Sequence, residues 1–373
     1  MSGIYLHVPF CKQACDYCDF HFSTSVKRKD EMLSAMKKEM EMRRDELDSP
    51  VKTIYLGGGT PSLLHPEEIE ELISRIKSLF SVESDAEITL EVNPDDLDKE
   101  RLMKIAQSPV NRLSIGIQSF EDPDLKFMNR AHDREQALRS LAEACNYFGN
   151  ISIDLIYGLP GMSEKHWKAN LRKAFDFPIQ HISSYALTVE PRTALDHYIR
   201  AGKCPAPSED EARMHFEFLM KEADKQGFIH YEVSNFAKEG FLSRHNTSYW
   251  QGEHYLGIGP SAHSYSGNSR SWNVSNNARY LKALQKGEID HEREVLSSKD
   301  MLNEMIMTRL RTMWGLSMQQ VETEFGKEHR ARIQKMAGKF IDQGLLKMEA
   351  ERLIVNQKGF FLIDGMASDL FSD

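Results

Sequence analysis

Cys11, Cys15 and Cys18 stand within one short run, CKQACDYC, near the start of the chain. Cysteine thiolates bind soft metals, and a C-x3-C-x2-C spacing on a single loop puts all three sulfurs around one centre. An ordinary electron-transfer [4Fe–4S] cluster is closed by four protein ligands. Three ligands leave one iron open to a small molecule, which suggests a cluster that does chemistry on a bound cofactor. Zinc is the alternative, with His21 or His7 completing a Cys3His tetrahedron. Zinc sites more often bring their ligands in two separated pairs, whereas here every candidate crowds one loop. Cys145 and Cys204 stand alone and read as a buried helix thiol and a loop thiol.

A second group of residues suits a polar ligand. Gly57, Gly58, Gly59 and Thr60 form GGGT, which is neither a Walker A loop nor the G-x-G-x-x-G fingerprint. Consecutive glycines let a ligand approach the backbone closely, although the same run also serves as an ordinary tight turn. Glu91 and Asp154 carry carboxylates suited to ribose hydroxyls, and equally able to cap helices or pair with arginine. His245, in RHNTSYW, reads by itself as a polar loop residue; His263, in GPSAHSY, is a second histidine of interest.

These residues must be held by something, and the chain offers a regular series of elements. Six β-type runs, 4–8, 53–58, 87–92, 112–118, 151–158 and 181–189, alternate with segments whose apolar residues recur at helical spacing. Such a series predicts parallel βαβ units, curled into a barrel or an open doubly wound sheet. Ligands collect at the C-terminal ends of the strands in both cases. The cysteine loop follows the first run and GGGT the second; Glu91 closes the third, Gln118 ends the fourth and Asp154 lies within the fifth. Residues 191–296 change rhythm, with one helix and short β-like pieces rich in aromatics and histidine, and read as an α+β extension packed on the domain 1–190. Residues 297–373 follow a winged-helix order.

The totals narrow the classes. The chain has 373 residues, 40% hydrophobic and 28% charged, with a net charge of −9, which gives no electrostatic footprint for nucleic acid or an anionic membrane. The last module carries ten Lys and Arg against eleven Asp and Glu over residues 300–373, so it reads as a packing or partner domain. No apolar run approaches the ~20 residues of a membrane span. The start, MSGIYLHVPFC, lacks the pattern of a signal peptide, which places the protein in the cytoplasm.

Taken together, YLHVPFCKQACDYCDF, YLGGGTPS, EVNP, RLSIGIQSF, MNRAH and IDLIYGLPG resemble the radical S-adenosylmethionine (SAM) proteins related to the oxygen-independent coproporphyrinogen III oxidases, along nearly the whole chain. The resemblance implies a partial (β/α)6 barrel with a [4Fe–4S] cluster on Cys11, Cys15 and Cys18, whose fourth iron SAM would chelate. It places Tyr5 beside the cluster and Gly58, Gly59 and Thr60 at the methionine end. Glu91, Gln118, Arg130 and Asp154 would hold ribose and carboxylate, and Ala186 would lie against adenine. The decarboxylating oxidases usually carry a further cysteine two residues after the third and a long segment before the motif. This chain has Phe20 there and ten residues before Cys11. It is closer to the heme chaperone branch marked by HNxxYW, here His245, Asn246, Tyr249 and Trp250, with His263 as a further heme candidate. That branch implies heme, an acceptor hemoprotein and, if the cluster is reduced, an electron donor as partners. The oxidase reaction and a zinc-stabilised interaction protein are the alternatives.

Overall fold

The computed structural model describes residues 2–372. Six strands, β1 (Ser2–Val8), β2 (Val51–Gly58), β3 (Val82–Val92), β4 (Arg112–Gln118), β5 (Ile151–Tyr157) and β6 (His181–Ala186), pair in parallel and in chain order. Side chains alternate across each strand, and the two faces have opposite chemistry. Ile4, Leu6, Val8, Ile54, Leu56, Leu90, Leu113, Ile115, Ile117, Ile153, Leu155 and Ile182 are fully or almost fully buried and form the apolar face covered by the crossover helices. The alternate positions, among them Tyr55, Glu91, Arg112, Ser114, Gly116, Gln118, Asp154, Ser183 and Tyr185, face a polar interior.

The helices between the strands start where the local chemistry tells them to. Asp98 accepts from the Arg101 backbone N–H at the start of the helix Lys99–Gln107, and Asp133 with Gln136 makes a capping box for Arg134–Ala144. Each such cap satisfies a backbone donor that the helix leaves free and contributes about 1 kcal/mol.

The six expected strands are therefore present, but the sheet does not stop at residue 190. Strands β7 (Ile229–Glu232) and β8 (Asn235–Ala237) continue it beyond β6, with β8 antiparallel to β6. Strands β9 (His254–Ile258), β10 (His263–Tyr265), β11 (Ser269–Asn273) and β12 (His291–Val295) continue it beyond β1, and β9 runs parallel to β1. The result is one twelve-stranded sheet to whose two ends the extension contributes. Glu39 ties this extension to the first crossover helix, Lys29–Met42. Fully buried, its carboxylate accepts from Asn273 Nδ2 (2.6 Å), Tyr280 OH (2.5 Å), the Gly259 N–H (2.9 Å) and Arg43 Nη1 (3.1 Å).

A separate three-stranded sheet, β13 (Leu316–Ser317), β14 (Leu346–Glu349) and β15 (Arg352–Val355), follows the helix Ser298–Leu310 and is accompanied by the helices Met318–Phe325 and Lys327–Asp342. Helices followed by a short β-wing is the winged-helix order, and a further helix, Ile363–Leu370, closes the module. The carbonyls of Trp250 and Gln251 accept from Arg309 at 3.0 and 2.6 Å, which joins this module to the extension.

Candidate active site

The C-terminal ends of the parallel strands and the loop after β1 enclose a cavity of about 440 Å3, a size that admits a nucleotide-sized ligand. Cys11, Cys15, Cys18, Gly58, Gly59, Thr60, Glu91, Gln118, Arg130, Asp154, Ala186 and Asn246 line it. Tyr5 lies outside the lining, behind Gly57, with its hydroxyl 3.3 Å from His7 Nδ1. His245, Tyr249, Trp250 and His263 do not line it either.

A hydrogen-bonded chain ties the cysteine loop to the strand ends. Thr60 Oγ1 donates to Cys11 Sγ (3.5 Å) and accepts from Asn93 Nδ2 (3.1 Å). Arg130 Nη2 donates to Asn93 Oδ1 (2.6 Å) and to the Gly116 carbonyl (3.1 Å), while Arg130 Nη1 reaches Cys15 Sγ (3.4 Å). Two glycines make this possible. A Cβ on Gly59 would lie 2.6 Å from the Phe10 carbonyl oxygen, so only glycine lets the loop after β2 pass the cysteine loop. A Cβ on Gly116 would lie 3.0 Å from Gln118 Nε2 and 3.2 Å from Arg130 Nη2. Gln118 itself takes a left-handed backbone, φ 62°, a strained conformation for a residue with a side chain and one that concentrates at ligand sites.

The cysteines are free thiols, each partly buried. Burial pushes the Cys18 thiol up to about 11 and also raises Cys11, so a bound cation is what would make them thiolates. Among the described residues no three His, Cys, Asp or Glu side chains are already grouped to hold an ion. The donor chemistry nevertheless fits a three-thiolate cluster. The zinc alternative needs a histidine; His7 has both ring nitrogens engaged, whereas His21 has a partner among the described residues on Nε2 alone. His7 bonds Tyr5 OH and the His21 carbonyl, and His21 Nε2 lies 2.7 Å from Asn277 Oδ1.

Deeper in the interior sit two partly buried carboxylates, Glu91 and Asp154. Desolvation raises Glu91 to about 7, although Tyr55 OH donates to it at 2.8 Å, and raises Asp154 to about 6. Arg112, 1% exposed, lowers both through its charge. Asn93, Arg112 and Ser114 line the cavity too, and the sequence reading missed them. The signal was available, because stepping by two from Glu91 gives Asn93, and stepping back by two from Gln118 gives Gly116, Ser114 and Arg112.

The histidine motif occupies a place that its sequence did not announce. His245 was expected to offer a nitrogen to heme iron. Instead it is 1% exposed, its Nδ1 lies 2.8 Å from Thr53 Oγ1, its Nε2 lies 2.7 Å from Tyr249 OH, and its ring stacks on Tyr55 at 4.9 Å. Neither nitrogen is free for a metal. His263 is exposed, its ring stacks on Trp272 (6.0 Å), and its side chain has no hydrogen-bond partner among the described residues.

Residues 5–174 match the model of the radical SAM superfamily, and residues 296–362 match the HemN C-terminal domain. The chain is 32% identical to the heme chaperone HemW of Bacillus subtilis over 97% of both chains, and 35% identical to that of Lactococcus lactis over 97% of this chain and 95% of that one. The chain belongs to the radical SAM superfamily and, within it, to the family of these heme chaperones. Its fold superimposes on the coproporphyrinogen III oxidase HemN of Escherichia coli with a TM-score of 0.86, covering 100% of this chain and 90% of that one at 22% identity. That likeness establishes the architecture.

Proposed function

We propose that the protein is a cytoplasmic heme chaperone that carries a [4Fe–4S] cluster with SAM on its open iron and passes heme to an acceptor hemoprotein. The observation that carries the reading is the full-length kinship with proteins named heme chaperones. Cys11, Cys15 and Cys18 hold the cluster, and the cavity lined by Gly58, Gly59, Thr60, Glu91, Gln118, Asp154 and Ala186 holds SAM. When bound, the cluster supplies redox-active iron with one position left for the cofactor. The chain's own part is to position and shield. Thr60 and Arg130 donate to two of the sulfurs, and the glycine turn leaves room for close approach.

For heme, His263 is the histidine the geometry favours. It is exposed and its side chain has no hydrogen-bond partner among the described residues, and a neutral imidazole is the form that binds heme iron. Trp272 beside it offers a flat face for a porphyrin. Among the described residues no helix is long and apolar enough to cross a membrane.

Hemin titration tests the reading. The wild type is expected to give a shifted Soret band that weakens in His263→Ala, and to hand heme to an apo-hemoprotein. Failure to take up hemin would overturn it. Conversion of coproporphyrinogen III to protoporphyrinogen IX by the reduced protein with SAM would favour the oxidase instead.

A further inference from the structure

The residues of HNxxYW point in different directions from one short helix, Arg244–Trp250. The N–H groups of Arg244 and His245, at its start, both donate to the Glu87 carboxylate (3.0 Å each). His245 reaches the interior of the parallel strands, between Thr53 and Tyr55. Tyr249 holds the far nitrogen of His245 and packs edge-on against Tyr255 at 4.5 Å. Trp250 receives Arg309 on its carbonyl, and its ring lies 5.5 Å from the Arg311 guanidinium. Asn246 alone lines the cavity, and its side-chain amide has no hydrogen-bond partner among the described residues.

A second side chain in that cavity is also without an acceptor. Arg112 is almost completely buried, and among the described residues its Nε has no hydrogen-bond partner and it forms no ion pair. A buried guanidinium without acceptors is costly, so the cavity must offer it some. Glu91 and Asp154, close enough to act on its charge, already place two carboxyl groups there. An anion beside them is therefore disfavoured, and neutral acceptors, hydroxyl oxygens or ring nitrogens, suit the place.

We propose that Asn246 and Arg112 are direct contacts for the nucleoside part of the bound cofactor, donating to its neutral oxygen or nitrogen acceptors, and that His245 is a positioning residue that fixes Asn246. The motif thereby serves the cofactor cavity, and heme binds elsewhere. This rests on the reading that the cavity takes SAM. The geometry supports it from both directions: the helix is anchored at its start by Glu87 and at His245 by Thr53, and Asn246 is its one residue that lines the cavity.

The test is equilibrium binding of SAM to the anaerobically reconstituted full chain, run beside hemin titration. Asn246→Ala is expected to weaken SAM about fivefold, the value of one hydrogen bond, with hemin uptake and melting temperature unchanged. Arg112→Gln is expected to weaken SAM about tenfold or more. If His245 acts through Asn246, His245→Ala weakens SAM and Asn246→Ala adds little in that background, whereas a merely structural role makes the two losses multiply. Equal SAM affinity in the wild type, Asn246→Ala and Arg112→Gln would overturn the inference, as would loss of hemin uptake in Asn246→Ala with SAM binding intact. Absence of SAM binding in the wild type would instead overturn the cofactor reading on which it rests.

Discussion

His245→Ala should behave as a core mutation. The change removes two hydrogen bonds and leaves the buried Thr53 hydroxyl and the Tyr249 hydroxyl without their partner. Each loss costs about 1 kcal/mol or somewhat more. The stacking of the imidazole on Tyr55 adds about 1 kcal/mol, and the space left by the ring about 1–2 kcal/mol. The total is roughly 4 kcal/mol. Unfolding entropy of roughly 2.1 cal/mol/K per residue over 373 residues amounts to about 0.8 kcal/mol/K, so the melting temperature should fall by about 5 °C. Thr53→Val and Tyr249→Phe each delete one of the two bonds and should lower it by about 1–2 °C. Thermal melts followed by near-ultraviolet circular dichroism measure this in the protein without added cofactors. A drop below about 1 °C in His245→Ala, together with loss of hemin uptake, would refute the reasoning and return the histidine to the heme site.

Other outcomes follow from the same structure. Burial holds Glu91 at about 7 and Asp154 at about 6, above the ordinary carboxylate range, so the folded chain retains protons that the unfolded chain releases from about pH 4 upward. Their contribution to stability is largest at low pH and is lost as the pH rises through 6 and 7. Glu91→Gln should therefore flatten the dependence of the urea midpoint on pH between 5 and 8 and raise the midpoint at pH 8; a steeper dependence would contradict the assignment. Replacing Cys11, Cys15 or Cys18 with alanine should abolish reconstitution of the about four iron expected per chain, while Cys145→Ala and Cys204→Ala should retain the wild-type iron content. Glu39→Ala leaves the buried Arg43 without its nearest buried carboxylate and should cost about 3–5 kcal/mol in urea unfolding; a neutral result would mean that the extension is held to the barrel by other contacts.

Much of the site was readable because strands carry a period of two. Arg112 to Gln118 appears in the fold as the strand its sequence suggested, and the alternation from Glu91 and Gln118 also points to the missed neighbours Asn93, Ser114 and Arg112. The cysteine and glycine loops sit at the ends of β1 and β2 because βα turns are local. What the sequence concealed depends on contacts between distant segments. Nothing local in YLGIG marks β9 as a parallel partner of β1 252 residues away, or β8 as a partner of β6, so the extension looked like an appended unit. His245 looked solvated because RHNTSYW is polar. Its burial comes from Thr53, Tyr55 and Glu87 on strands β2 and β3, which supply the partners a buried imidazole and two helix N–H groups require. Polarity in a sequence reports exposure only where no other polar group waits inside the fold.

The central claim is that Cys11, Cys15 and Cys18 hold a cluster whose fourth iron is left for SAM. Electron paramagnetic resonance of the anaerobically reconstituted, reduced protein, recorded with and without SAM, addresses it directly. The account predicts a reduced [4Fe–4S] signal that changes on adding SAM and is absent when any of the three cysteines is replaced. A cluster signal indifferent to SAM, or a colourless protein containing one zinc, would contradict it.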